Sequence, residues 1–177
     1  MWYNLEVAKQ GRVKRLTDME KEYLKIVKKI INNKNYKKLK NETHHNHYER
    51  YSHSIAVSYK TYKICKKHNL DYVSATRAAV LHDFFFDNQF LDKSKFYKLT
   101  NHYKKSLENA SKITSLNEKE KNIISSHMFP IGGKLPRSLE SVVVDFIDDV
   151  VSFREFFSYK YRLVKTIFDY LIISFIY

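Results

Sequence analysis

The sequence predicts an all-α fold, a single compact helical bundle of about seven or eight helices. Only three of the 177 residues are glycine and two are proline, so the chain has few of the turns that many short strands need. Most segments carry apolar residues at helical spacing. With 44% hydrophobic and 15% aromatic side chains, the chain can bury one sizeable core. We therefore expect one domain over residues 1–177.

The first predicted helix covers about residues 17–33. Thr17 and Glu20 have the spacing of a capping box, and apolar residues then follow on one face. Residues 32–41, rich in Asn and Lys, predict a short helix or a loop. Four histidines follow in the segment that leads into the next helix: His44, His45, His47 and His53.

The middle of the sequence contains a small, almost entirely apolar helix that Asp71 can cap. Such a helix belongs in the core of a domain. It ends in His82 and Asp83, two polar groups that cost free energy to bury without partners. After a polar stretch over residues 87–95, the apolar spacing predicts another helix over about residues 101–115.

The last third of the sequence predicts three more helices. Asn117 and Glu120 form a second capping-box pattern, and this helix stops before Pro130. Pro136 suits the first turn of the next helix. Three acidic residues interrupt the apolar pattern of that helix: Asp145, Asp148 and Asp149. A final helix is expected over about residues 159–177.

The composition also limits the cellular setting of the protein. Its single cysteine, Cys65, excludes an internal disulfide and a Cys-based zinc finger, so a reducing cytoplasm fits best. Residues 1–10 lack the apolar core of a signal peptide, and no stretch reaches the ~18–20 apolar residues of a membrane span. We expect a soluble cytoplasmic protein without membrane contact.

The formal net charge of +13 has two interpretations. It favours an anionic partner, either a phosphorylated metabolite or nucleic acid. Lys, Asn, Ile, Tyr and Phe are all abundant, however, and such a compositional bias raises basicity without any function.

Six polar residues interrupt otherwise apolar helical segments, and all six are of metal-ligand types. They are His53, His82, Asp83, His102, His127 and Asp148. Imidazole nitrogen and carboxylate oxygen suit Mn, Fe, Zn or Mg, and a set without thiolate favours a hydrolytic over a structural site. Each residue alone is more often a hydrogen-bonded core residue. Their joint occurrence on separately predicted helices favours a metal site.

In this order the residues resemble the HD-domain metal-dependent phosphohydrolase superfamily. The resemblance spans about residues 41–155 and includes three motifs: Arg50-Tyr51-Ser52-His53, Ala78-Ala79-Val80-Leu81-His82-Asp83-Phe84-Phe85, and residues 143–152 with Asp148. Further motifs, such as His44-His45 and Ser126-His127-Met128-Phe129-Pro130, are similar to those of a small bacterial HD-domain subgroup. The resemblance implies an HD-like core at residues 41–155 on which the first and last helices pack.

The resemblance also implies a ligand set and a reaction. One ion would be held by His53, His82, Asp83 and Asp148, and a second by the additional histidines His102 and His127. One or two divalent ions are implied, from Mn, Fe, Zn, Co, Ni and Mg. The reaction would be hydrolysis of a phosphoester in a nucleotide or another small phosphorylated metabolite, with Asp83 in the catalytic centre.

Other residues near the motifs have two interpretations each. Asp87 suits a general base or an orienting group for water, and equally a loop cap. Arg50, Lys134 and Arg137 are candidates for binding the substrate phosphate, or simple surface charges. His44 or His45 suits an outer metal ligand, although a solvated loop histidine is the more common situation.

An alternative function is a catalytically idle module of the same fold that binds nucleic acid or a protein through basic segments such as residues 25–40. It explains the charge but leaves the His and Asp set unused. Lys and Arg are scattered along the chain rather than concentrated in one arm, which favours the enzyme. A purely structural metal site would need closed coordination. The sequence does not predict an oligomeric state.

Overall fold

The computed structural model describes residues 15–44, 48–132 and 134–176. These residues form seven α-helices: α1 (Asp18–Ile31), α2 (Lys34–Lys37), α3 (Arg50–Lys67), α4 (Tyr72–Leu81), α5 (Lys95–Ile113), α6 (Glu118–Ser126) and α7 (Leu139–Ile176). Two 3-10 turns, Lys38–Asn41 and Asp87–Phe90, and an antiparallel pair of two-residue strands, β1 (Thr43–His44) and β2 (Tyr48–Glu49), complete the secondary structure of this part. The all-α prediction is confirmed. His44 ends β1 and His45 lies outside the described residues, so an outer-ligand role for either stays a prediction.

Helices α3 and α4 lie at the centre of the core. Helix α3 packs against α4 and α7, while α4 also contacts α1 and α6. The alanines of α4 and its last two residues, Val80 and Leu81, are fully buried. The side chain of Asp71 accepts a hydrogen bond from the Ser74 backbone N–H at 3.1 Å, which caps α4 as predicted. Because α4 runs through the core, the residues that directly follow it also lie in the interior.

The starts of the other helices follow local capping chemistry. Both predicted capping boxes form, at Thr17 with Glu20 and at Asn117 with Glu120. Helix α5 begins earlier than the apolar pattern indicated, at Lys95. Its start is set by the Ser94 hydroxyl, which accepts the Tyr97 backbone N–H at 3.1 Å.

Helix α7 differs most from the prediction. The proposed first-turn position of Pro136 is wrong, because the helix begins at Leu139 and the Ser138 hydroxyl accepts the Ser141 N–H at 3.2 Å. The structure has no separate helix at residues 159–176; instead α7 is one helix of 38 residues, Leu139–Ile176. Residues 155–160 contain neither proline nor glycine, so nothing in this sequence interrupts the helix. No helix in the described part of the chain is long and apolar enough to cross a membrane.

Candidate metal centre

The six candidate ligands come from five helices and meet inside the core. His53 lies in the first turn of α3, His82 and Asp83 follow α4, His102 lies in α5, His127 follows α6, and Asp148 lies in α7. Each of them is at most 7% exposed. Polar side chains buried this deeply need partners, so their mutual arrangement decides what the site can do.

One group of ligand atoms is formed by His53, His82 and Asp148, which lie within 4.8 Å of one another. The Nε2 atom of His53 is 2.8 Å from Asp148 Oδ1. The Nε2 atom of His82 is 3.4 Å from the same oxygen. Two imidazoles therefore face one carboxylate oxygen.

A second group is formed by His82, Asp83 and His127, also within 4.8 Å of one another. His102 adds a further nitrogen, because its Nε2 lies 3.2 Å from Asp83 Oδ1 and 2.8 Å from His127 Nε2. The His127 Nε2 is 3.6 Å from Asp83 Oδ1. The two groups share His82 and form one continuous centre.

Backbone hydrogen bonds determine which nitrogen of three histidines faces this centre. The bonds are His82 Nδ1 to Ala79 O at 2.7 Å, His102 Nδ1 to Lys98 O at 3.1 Å, and His127 Nδ1 to Ile124 O at 2.8 Å. A carbonyl oxygen only accepts, so each Nδ1 carries a proton, and the neutral form of each ring presents its lone pair at Nε2. All three lone pairs then point into the centre, as metal ligation requires.

The arrangement of these side chains is better suited to binding divalent cations than to forming a hydrogen-bonded network in the core. The buried Nε2 of His82 has no hydrogen-bond partner within the described residues, and its nearest carboxylate oxygens belong to Asp148 at 3.4 Å and Asp83 at 3.8 Å. The Nε2 atoms of His102 and His127, 2.8 Å apart, need a proton or a cation between them. Nitrogen and carboxylate donors of this kind suit Mn, Fe, Co, Ni or Zn.

The electrostatics of the centre also favour bound cations. Burial opposes ionisation of Asp83 and Asp148, but the charge of His82 holds the pKa of both carboxyls well below the usual range. Burial opposes protonation of His53, yet the hydrogen bonds that its ring donates to Asp148 and Glu155 raise its pKa to about 10. Burial lowers the pKa of His127. Without added cations, protonated histidines must balance the two ionised carboxylates.

Glu155 is a partner of the centre that the sequence interpretation missed. Its Oε2 lies 3.0 Å from His53 Nδ1, on the side of the ring opposite Asp148. Glu155 follows Asp148 by two helical turns of α7, so the two carboxylates lie near the same face of that helix. This spacing from Asp148 was the feature of the sequence that could have identified Glu155. With His53 Nε2 as a ligand, Glu155 would accept the Nδ1 proton and orient the ring.

Arg50 lies inside the protein rather than at a substrate-accessible surface. It is 2% exposed, and its guanidinium contacts Glu42 Oε2 at 3.3 Å and Asp87 Oδ1 at 2.9 Å. It also donates to the carbonyl oxygens of Thr43 at 3.1 Å and Phe85 at 3.0 Å. These contacts join the start of α3 to the segment that follows Asp83.

Asp87 binds two cationic side chains with one oxygen. Besides Arg50, its Oδ1 accepts from Lys98 Nζ at 2.7 Å. Burial opposes ionisation of Asp87, but these two partners outweigh it and lower its pKa. Lys98 was missed by sequence analysis, although it lies one helical turn before His102 in α5. Its side chain is 31% exposed, so its ammonium is within reach of solvent.

Lys134 and Arg137 lie on the exposed segment between α6 and α7. The Lys134 backbone N–H donates to Ser125 O at 2.7 Å, and the Arg137 N–H donates to Asn122 Oδ1 at 2.9 Å. The segment therefore runs back along α6, which leaves Lys134 nearer to the His127 end of that helix than Arg137.

Comparison with known proteins identifies the family. The model of the HD domain matches residues 50–151, more than half of the chain, and this range includes all six candidate ligands. Searches of curated proteins and of solved structures found no significant match. HD domains bind divalent metals, and their superfamily consists in general of metal-dependent phosphohydrolases. The chain belongs to the HD domain family.

Proposed function

We propose that this protein is a metal-dependent phosphohydrolase that cleaves a phosphoester of a nucleotide or another small phosphorylated metabolite. The observation that carries the proposal is the convergence of histidine Nε2 atoms on Asp83 and Asp148 in a buried centre, with His82 Nε2 left without a hydrogen bond within the described residues. A folded core rarely buries a polar atom without a hydrogen-bond partner unless a bound ligand supplies the missing interaction.

Each ligand has a defined part in this proposal. His53, His82, Asp83 and Asp148 hold one ion, and His102 and His127 hold a second together with Asp83. Asp83 can serve both, because its Oδ1 faces His102 and His127 while its Oδ2 faces His82. When bound, divalent ions lower the pKa of water and stabilise charge on phosphoryl oxygens during in-line displacement.

The contacts of the charged residues around the centre alter two of the roles considered from sequence. Arg50 is buried and engaged, so we assign it to holding Glu42 and Asp87 rather than substrate. Asp87, with a lowered pKa, is a weak base, and we assign it to orienting Lys98. Lys98 and Lys134 are our candidates for contact with the substrate phosphate. Arg137 lies farther along α6 and is a weaker candidate.

The test is a hydrolysis assay across metals and substrates. Nucleoside mono-, di- and triphosphates and cyclic dinucleotides are incubated with protein loaded with Mn, Fe, Co, Ni, Zn or Mg. We expect hydrolysis of at least one class, and we expect Asp83→Ala to lose both metal uptake and hydrolysis. Asp18→Ala serves as the control, because its side chain is 97% exposed on α1. Full activity of Asp83→Ala would show that the catalytic assignment is wrong.

The net charge of +13 supports a second candidate, an idle HD module that binds nucleic acid. This function would give RNA or DNA binding whose affinity falls steeply with salt, since each neutralised phosphate releases counterions. Salt-dependent binding together with no hydrolysis by any metal-loaded form would favour this candidate over the enzyme.

A further inference from the structure

Helix α7 exposes a long row of large apolar side chains, which we call the α7 stripe. Its described members are Leu139, Val142, Phe146, Val150, Phe153, Phe157 and Tyr161, each 41–70% exposed. At about 100° per residue these positions fall within an arc of about 100°, on one face of the helix. A contiguous exposed apolar face of this length is unusual for a monomer.

The stripe follows an 11-residue repeat. Three positions recur at this spacing: Leu139, Val150 and Tyr161; Val142 and Phe153; Phe146 and Phe157. The sequence of the rest of α7 continues all three, with Val164, Phe168, Ile172 and Phe175. An 11-residue repeat corresponds to 3.67 residues per turn and keeps an apolar row facing a partner helix over many turns. The repeat therefore indicates helix pairing.

The protein's own core does not bury this face in the described part of the chain. The opposite face of α7 packs on the core through Val144, Ile147, Asp148 and Val151, all buried. After Val151, every side chain of α7 that the structure describes is exposed or only half-buried. The helix thus extends past the core with its stripe uncovered.

The area of the stripe matches one side of a stable interface. An aromatic side chain offers 150–250 Å², so Phe146, Phe153, Phe157 and Tyr161, at 52–70% exposure, present on the order of 500 Å² together. A standard interface buries about 800 Å² per partner, somewhat more than half of it apolar. The four aromatic residues alone supply that apolar share.

The charged residues along α7 indicate that the stripe packs against a second copy of the same helix. Asp145 and Asp149 flank the stripe in its first half, and Lys160 flanks it in its second half. Two copies in antiparallel orientation place the acidic half of each beside the basic half of the other, whereas parallel copies place like charges together.

We propose that the protein forms a homodimer in which α7 pairs antiparallel with α7 of a second copy, with the two-fold axis beside Phe153. In this arrangement Val150 of each copy packs on Phe157 of the other, and Phe146 packs on Tyr161. The metal centre lies on the opposite face of the same helix, so each copy keeps a complete site.

The first test measures association of the full chain by sedimentation equilibrium. We expect a dimer at micromolar concentration, and we expect Phe153→Glu to raise its dissociation constant by at least about 100-fold, because each dimer loses two buried aromatic anchors. Phe96→Glu is the matched control: Phe96 is 70% exposed on α5, outside the stripe, and this variant should remain a dimer. Circular dichroism should show equal folding of both variants.

The second test determines the orientation by disulfide formation under mild oxidation. Cys65 is buried and its thiol pKa is raised to about 12, so introduced cysteines react selectively. Phe153→Cys should form an intermolecular disulfide, because the two copies of this residue meet at the axis. Leu139→Cys should not, because its two copies would lie about 40 Å apart.

Three results would overturn the proposal. A protein that stays monomeric at tens of micromolar leaves the stripe without a second copy, and binding of that monomer to phosphatidylglycerol vesicles would identify lipid as the occupant. If Phe153→Glu leaves the dimer intact, the dimer interface lies elsewhere on the surface. Efficient disulfide formation by Leu139→Cys would show parallel pairing.

Discussion

His53 differs from the other histidines of the candidate metal centre in the group that is hydrogen-bonded to its Nδ1 atom. His82, His102 and His127 donate to backbone carbonyls, whereas His53 Nδ1 faces the carboxylate of Glu155 at 3.0 Å. A carboxylate increases the basicity of an imidazole ligand more than a neutral carbonyl does. We therefore expect His53 to be the strongest nitrogen donor of the centre, and Glu155 to be the residue that makes it so.

Replacing Glu155 by Gln should weaken metal binding by about 10–100-fold, because the amide keeps a hydrogen-bond acceptor but loses the negative charge. The affinity is measured by competition with a chromogenic chelator, and Glu155→Asp should recover part of it. Glu108→Gln is the control, since Glu108 pairs with Lys105 and Lys112 on the surface of α5. Equal affinities for Glu155→Gln and the unmodified protein would contradict a positioning role.

Replacing Arg50 by Met should lower the free energy of unfolding by about 2–3 kcal/mol, because Glu42 and Asp87 would lose a charged donor in a partly buried region. Urea denaturation measures this loss. Lys21→Met, at an exposed position on α1, should change stability by less than about 0.5 kcal/mol. A stable Arg50→Met protein with a raised KM would instead support phosphate binding by Arg50.

At the scale of elements, two helices end at the candidate metal centre in the same way. Helices α4 and α6 are each followed by a ligand histidine that donates its Nδ1 proton to a carbonyl of the last helical turn, Ala79 O or Ile124 O. These bonds satisfy carbonyls that a helix end leaves unpaired. Helix C-termini carry partial negative charge and favour nearby cations. The ends of α4 and α6 thus position candidate ligands and also favour bound cations.

Gly132 determines how closely the segment after α6 approaches α5. A Cβ atom at this position would lie 2.8 Å from Thr100 Cα and 3.0 Å from Thr100 O, both backbone atoms. Gly132→Ala should destabilise the protein by about 1–3 kcal/mol, as overpacking does. Because His127 precedes this segment and His102 follows Thr100, we also expect weaker metal binding.

The control for this change is Ile131→Ala, at a neighbouring position with 62% exposure. It should alter the free energy of unfolding by no more than about 0.5 kcal/mol. Thermal denaturation and chelator competition on both variants measure the two effects. If Gly132→Ala and Ile131→Ala have the same free energy of unfolding, the loop can shift away from Thr100 without loss of stability.

The sequence predicted the parts of the site that depend on local pattern. His82 and Asp83 were recognisable because a polar pair ends an apolar helix, and this contrast exists within a few residues. Glu155 and Lys98 lacked such a contrast, since each resembles an ordinary surface charge until a distant helix contributes its partner. The burial of Arg50 likewise depends on groups as far away in sequence as Asp87. Contacts between distant segments are the information that local patterns do not contain.

At the scale of the whole molecule, the candidate metal centre connects five helices. Its candidate ligands lie in or directly after α3, α4, α5, α6 and α7, so unfolding of any of these helices dismantles the centre. The centre also contains two carboxylates whose pKa values are held low and a His82 Nε2 that lacks a hydrogen bond within the described residues. Bound cations would balance the carboxylates and occupy the lone pairs. Metal binding should therefore be linked to the stability of the entire fold.

Adding metal should raise the melting temperature of the whole protein. A ligand present at 1,000 times its dissociation constant stabilises the folded state by about 4 kcal/mol, which for a chain of this size corresponds to about 10 °C. Differential scanning calorimetry with and without a chelator measures the shift. Asp148→Asn should reduce it, because the variant loses the carboxylate that faces both His53 and His82 in the first of the two proposed ion sites. If Mn, Fe, Co, Ni, Zn and Mg all leave the melting temperature of the chelated protein unchanged, these buried residues form a hydrogen-bonded core instead of a metal centre.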